Sequence, residues 1–246
     1  MRWRLDTFLL PILIFFAAML YSSVGHAGAS GYLASMALVG SLPATMKPTA
    51  LILNILVSMI ATSRFYAAGC FSWRILLPFI VLSVPFAYLG GSLQLPSPIY
   101  KQLVGAILLF AAFRMYRERR TEIATRKDIP WLPALAAGAG IGLLSGLTGT
   151  GGGIFLSPLL LLMGWAETKK SAGVSAAFIM VNSVAGLIGF WGKSPSLPDG
   201  IGLLAVAAVG GGLIGSELGS RRVGNSTLRI LLAVVLVIAG LKMILS

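Results

Sequence analysis

The sequence predicts an all-α, polytopic membrane protein of two inverted repeats, each a broken pair of short helices followed by three transmembrane helices. Three observations carry this. The 246 residues are 57% hydrophobic and only 11% charged, against roughly 25% charged in a soluble domain. A glycine- and threonine-rich run, Gly146-Leu147-Thr148-Gly149-Thr150-Gly151-Gly152-Gly153, interrupts apolar sequence on both sides. The pattern of the chain then starts over after Pro130.

The net charge is +12, from 19 Lys and Arg against 7 Asp and Glu. The charges sit at the ends of apolar runs, as the positive-inside rule expects, so lipid is the partner and not nucleic acid. A single cysteine, Cys70, leaves no intrachain disulfide or thiolate cluster. A single histidine and few carboxylates argue against a metal site, and no cofactor is called for. Residues 1–20 show no convincing signal-peptide cleavage site, and the apolar run continues past them, so a first membrane segment is expected there.

Taken in order, residues 9–21 are the first apolar run. Residues 22–31 bring Gly, Ser and His26, and residues 32–40 are apolar again. Residues 49–68 are long enough to span, since a span needs about 20 residues. Residues 75–93 span next, with Pro78 and Pro85 as expected bends, and residues 100–113 after them. Residues 114–127 form the one strongly polar segment, read as a solvated basic loop. The second half follows the same plan: residues 132–147, the glycine break, residues 154–163, then spans at 172–190, 201–218 and 228–245.

The duplication aligns by eye. Leu10-Pro11 matches Leu132-Pro133, Gly31 matches Gly153, and Ser35 matches Ser157. Ser58 matches Ser183, and Gly90 with Leu93 matches Gly215 with Leu218. The units are residues 1–116, a cytoplasmic linker at 117–130, and residues 131–246. As a helix, residues 154–163 reach about 15 Å, half of a hydrocarbon core of about 30 Å. A pair that leaves and returns to one side gives each half an odd number of crossings, so the halves are inverted. With the linker inside, Arg64, Arg74, Lys169, Lys170, Arg221 and Arg222 also fall inside, and only Arg2 and Arg4 dissent.

The break defines candidate chemistry. Each glycine in a helix interior costs about 1 kcal/mol relative to Ala, and unwound backbone in lipid survives only under cover of protein or water. Residues 148–153 therefore read as a buried break, with a second half-helix starting near Gly152. Its free N–H groups make an anion site, and broken helices near the midplane are where many transporters bind substrate.

The run Ser145-Gly146-Leu147-Thr148-Gly149-Thr150-Gly151-Gly152-Gly153, with Ser157-Pro158-Leu159-Leu160 after it, resembles the glycine signature of the TauE/SafE sulfite-exporter family. Ala172-Gly173-Val174-Ser175 with Asn182-Ser183 resembles that family's next element. The resemblance covers nearly the whole chain. It implies a multi-pass transporter of the plasma membrane for small sulfur-containing anions such as sulfite, with export as the direction. In the first half, Gly25-His26-Ala27-Gly28-Ala29-Ser30-Gly31 stands where the second half has its triple glycine.

The candidate substrate-binding residues flank the breaks: Ser23, His26, Ser30, Gly31, Ser145, Thr148, Thr150, Gly151, Gly152, Gly153, Ser175 and Asn182. For the glycines the alternative is close helix packing. His26, at membrane depth, is a candidate by default, and its alternative is a hydrogen bond to a carbonyl of the break. The hydroxyls either line a pathway or bond carbonyls within their helices. Glu217 reads as the partner of Arg221 four residues on, and Lys47 and Lys170 either snorkel or attract an anion at a pore mouth. A small anion is the expected substrate, with a proton or sodium ion as coupling partner. The competing readings are an intramembrane serine hydrolase using Ser145 and His26, which requires a positioned dyad, and a scaffold without substrate.

Overall fold

The computed structural model describes residues 2–117, 128–192, 200–221 and 226–245. Within them lie ten α-helices and no strand: α1 Arg2–Ser22, α2 Ala29–Val39, α3 Pro43–Ala67, α4 Trp73–Ser92, α5 Ser97–Arg117, α6 Trp131–Thr148, α7 Gly153–Leu162, α8 Thr168–Trp191, α9 Ile201–Arg221 and α10 Ser226–Leu245. Most of the linker, residues 118–127, and the loop at 193–199 lie outside the described residues, as does Arg222.

Among the described residues, five helices are long and apolar enough to cross a membrane: Pro43–Ala67, Trp73–Ser92, Trp131–Thr148, Thr168–Trp191 and Ile201–Ser220. One expectation is corrected. The broken pairs are not made of two short helices. α6 has 18 residues and reaches about 27 Å, whereas α2 has 11 and α7 has 10. Each pair is one long arm and one short return. The long arm persists because its glycines lie against a neighbouring helix, where tertiary contact outweighs their poor propensity.

Those glycines also fix helix directions. A Cβ on Gly138, Gly142 or Gly146 of α6 would run into the carbonyl oxygens of Phe79, Ser83 and Ala87 of α4, in that order. α6 is therefore parallel to α4. Gly211, Gly215 and Gly219 of α9 meet the carbonyls of Phe15, Met19 and Ser23 in the same way, so α9 is parallel to the run of α1. Spacing of four residues puts each stripe on one helix face, and small residues let backbones approach closely in a membrane bundle. α3 begins where α4 ends, with Lys47 at Gly90 and Gly91, so α3 is antiparallel to α4 and to α6. α3 runs with α9: Val57 faces Gly212, and Arg64 reaches Glu217 one turn further on. It follows that α1 and α6, the long arms of the two pairs, run in opposite directions.

The helices of the two halves interleave. α4 packs on α6 and α9 on α1, α3 on α8, α5 on α10, and α7 on α8 as α2 on α3. Polar side chains are turned inward: Asn54, Ser58, Ser83, Ser145, Thr148, Ser175, Asn182 and Ser183 are all buried. Ile12, Val81, Leu89, Ile188, Val206 and Ile214 are exposed instead, as a surface that faces hydrocarbon requires.

Candidate functional site

Both breaks are built on glycines in the left-handed region. The second comprises residues 149–152, narrower than the expected 148–153, because Thr148 closes α6 and Gly153 opens α7. Gly149, Gly151 and Gly152 have φ of 84°, 74° and 79°, a conformation glycine adopts without a Cβ clash. The first break contains Gly25 and Gly28, also at positive φ. Gly28 and Gly152 are the N-caps of α2 and α7, and neither helix has a side-chain cap. The first N–H groups of a helix have no i−4 carbonyl to bond, and in α7 the Phe155 N–H turns back to the Gly152 carbonyl at 3.0 Å.

The two breaks meet. His26 Nε2 lies 3.1 Å from the carbonyl oxygen of Gly153. A carbonyl only accepts, so Nε2 carries the proton in this contact. The same nitrogen is 3.1 Å from Ser157 Oγ, which is 2.7 Å from Ser175 Oγ. Beside them is a cavity of about 10 Å³ lined by Gly28, Ala29 and Ser30 at the start of α2, by Thr150 and Ile154 at the start of α7, and by His26. That volume is at most room for one water.

Polar groups from other helices hold the second break. Asn54 of α3 donates from Nδ2 to the Gly149 carbonyl at 3.1 Å. The Tyr100 hydroxyl of α5 donates to the Thr148 carbonyl at 3.1 Å. Thr148 Oγ1 donates to Leu144 at 2.7 Å and lies 3.0 Å from Thr150 Oγ1. Around this frame, Asn54 Oδ1, Ser145 Oγ, Asn182 Oδ1 and Ser183 Oγ are buried with no hydrogen-bond partner. A Cβ on Gly151 would come within 3.0 Å of Asn54 Nδ2 and 3.2 Å of Ser183 Oγ, so both side chains sit directly on the break.

Of the sequence candidates, His26, Ser30 and Thr150 line the small cavity, and Ser175 joins them through Ser157. Gly152 is enclosed by Ile141, Phe178 and Ser145, and Gly153 by Ile179 and His26. Ser23 donates to Leu20 within its own helix at 2.7 Å, Gly31 is packed on Ala17 and Tyr21, and Asn182 donates to Phe178 at 3.0 Å. These three are not among the cavity's lining residues. Glu217 pairs across helices with Arg64, at 2.9 Å, and the side chain of its expected partner Arg221 lies outside the described residues. The hydrolase dyad is not assembled: Ser145 Oγ makes no hydrogen bond, and the His26 ring is engaged with Ser157. Asn54, Tyr100 and Ser157 were missed as site residues. Asn54 carried a signal, an amide in the middle of an apolar span, and Ser157 stood inside the glycine motif itself.

An all-helical bundle with an apolar rim, inward-facing amides and hydroxyls, and several helices of crossing length is a multi-pass membrane protein. The chain belongs to the TauE/SafE family: the family model described as "Sulfite exporter TauE/SafE" matches residues 10–243. It is therefore a membrane transporter by family. It is similar to a probable membrane transporter protein of Sinorhizobium fredii, 42% identical over 96% of this chain and 97% of the relative. It also resembles one from Methanocaldococcus jannaschii, 26% identical over 80% of this chain and 78% of the relative. A third, from Haemophilus influenzae, is 28% identical over 76% of this chain and 75% of the relative. No solved structure matches the chain.

Proposed function

We propose that the protein is a secondary carrier that moves sulfite or a related small sulfur-containing anion outward across the plasma membrane. Two inverted repeats, residues 1–116 and 131–246, rock against each other about the paired breaks, joined by a cytoplasmic linker at 117–130. The observation that carries this reading is the shared cavity, lined by Gly28, Ala29 and Ser30 at the N-terminus of α2 and, from the other half, by Thr150 of the second break and Ile154 of α7. Helix N-termini carry partial positive charge and open N–H groups, and no carboxylate lines the cavity. That environment suits an oxyanion and disfavours a hard metal cation. The substrate-binding set is the one named from the sequence, joined by Asn54, Ser157 and Ser183. Sulfite itself, and export, come from the family's description.

The opposed directions of α1 and α6 support inversion. So does the charge distribution: Arg64 at the end of α3, Arg74 at the start of α4, and Lys169 and Lys170 at the start of α8 share one end of the bundle, which the positive-inside rule assigns to the cytoplasm. A cavity of about 10 Å³ holds no oxyanion, so binding requires the halves to part, which is the motion alternating access uses. A proton or sodium ion is the coupling partner in this reading. The test is flux into proteoliposomes of sulfite, thiosulfate, sulfate, organosulfonates and chloride. Saturable movement of one sulfur oxyanion, lost in Gly152→Leu, supports the carrier. Absence of flux or binding of any anion under any ion gradient sinks it.

A further inference from the structure

A second, larger cavity of about 330 Å³ lies at the opposite end of the bundle from Arg64 and Lys169, lined by Thr45, Lys47, Ser97, Tyr100, Leu147 and Phe190 among others. Its volume is at the lower end of the range for small-molecule sites. Lys47 is the charge in it. The residue is only 5% exposed, and its ammonium donates to the carbonyls of Gly90, Gly91 and Leu93 at 3.0, 2.9 and 3.0 Å, where α4 ends. It also stands 5.7 Å from the centre of the Phe190 ring. Carbonyls and an aromatic face hold the cation in place, but neither cancels its formal charge. None of the lining residues is acidic.

The cavity abuts the second break. Leu147 and Tyr100 form the wall between them, since Leu147 precedes Thr148 and the Tyr100 hydroxyl is bonded to the Thr148 carbonyl. Gly149 lies directly against the backbone of Lys47. A concave, low-dielectric site with charge of one sign concentrates ions of the other. We propose that this cavity is an anion-binding vestibule, which takes small oxyanions at the outer mouth and hands them between bulk water and the second break past Tyr100. Its role as a vestibule rests on the carrier reading. Its affinity for anions does not.

The experiment introduces Thr45→Cys, at an exposed position of the cavity rim, into a Cys70→Ser background. Anionic sulfonatoethyl and cationic trimethylammonioethyl methanethiosulfonates are compared, each rate normalised to its rate with mercaptoethanol. The anionic reagent reacts roughly tenfold faster, methanesulfonate slows it, and the preference falls toward one with Lys47→Met or as salt is raised. The salt series stands on its own if Lys47→Met fails to reach the membrane. Equal normalised rates at low salt overturn the proposal. Vesicles of phosphatidylcholine alone and with phosphatidylglycerol separate the free anion from a lipid headgroup. Protection by phosphatidylglycerol but not by methanesulfonate overturns it too. Gly152→Leu keeps the charge preference while losing flux, whereas a charge preference in a protein that moves no anion even without that substitution condemns the carrier reading and leaves the anion site standing.

Discussion

His26 Nε2 donates to the carbonyl oxygen of Gly153 across 3.1 Å. One residue belongs to the first break and the other opens the short helix after the second, so this hydrogen bond joins the two breaks, alongside the contact of the same nitrogen with Ser157 Oγ. The imidazole of the first break thus touches two residues of α7 together. His26 stands where the second half has Thr148, whose hydroxyl bonds Leu144 and Thr150 of its own segment.

His26→Ala removes the donor while the Gly153 carbonyl keeps its place in the α7 hydrogen-bond ladder, so the loss is that of one hydrogen bond, about 0.5–1.5 kcal/mol. The melting temperature of the purified protein drops, and His26→Gln, which can still donate, recovers part of the loss. Equal melting temperatures for wild type and His26→Ala would show that the bond carries no load between the halves.

Topology is tested by position. Ser97 begins α5 and Lys169 lies in the first turn of α8, at opposite ends of the bundle. In a Cys70→Ser background, Ser97→Cys labels with an impermeant maleimide from outside the cell and Lys169→Cys only after permeabilisation. Labelling of both from the same side defeats the inverted arrangement.

The glycine stripes yield a stability prediction. Gly142 and Gly215 each lie against a carbonyl of a parallel helix, of Ser83 and Met19 respectively. Gly142→Leu or Gly215→Leu must push those backbones apart, and overpacking costs about 1–3 kcal/mol or more where backbone cannot yield. Either variant is recovered at lower yield in the membrane and melts earlier. Gly140→Leu, where nothing lies within 4 Å of the added carbon, behaves as wild type. If all three variants behave alike, the stripes do not hold the bundle.

Much of this was legible in the sequence. Glycine density marked the second break to within a residue or two, because positive φ at Gly149, Gly151 and Gly152 is a backbone demand that composition records. The repeat exposed the first break, although only Gly25 and Gly28 there are in the left-handed region. The run at 132–147 matched α6 to a residue at each end, but its pairing role was misread as one of two short helices, since nothing local says that Gly138, Gly142 and Gly146 are contact residues along a full-length arm. The tertiary polar contacts stayed hidden. No local pattern says that Asn54 reaches Gly149, 95 positions away, or that Tyr100 reaches Thr148. Lys47 was visible as a charge near a span, but its burial under the end of α4 depends on packing alone.

Asn54 supplies the sharpest test of the second break. It is fully buried near the middle of α3. Its Nδ2 holds the Gly149 carbonyl at 3.1 Å, and its Oδ1 has no partner. Ser183 Oγ, also unpartnered, lies against the same face of Gly151. A buried polar atom left unmet costs about 1–3 kcal/mol, so retaining two beside a break fits a site that completes its hydrogen bonds only when substrate or water enters. Two effects follow and separate. Asn54→Ala frees the Gly149 carbonyl and loosens the break, lowering both the melting temperature and the flux. Ser183→Ala removes a hydroxyl that bonds nothing in the closed structure, so it leaves the melting temperature unchanged or raises it, with a stability gain of up to the relieved penalty of about 1–3 kcal/mol, while raising the KM for the transported anion severalfold. Thermal melts and a concentration series of flux on the same preparations read both. A Ser183→Ala protein with unchanged KM removes Ser183 from the site, and an Asn54→Ala protein with unchanged melting temperature and flux leaves the break held by Tyr100 and Thr148 alone.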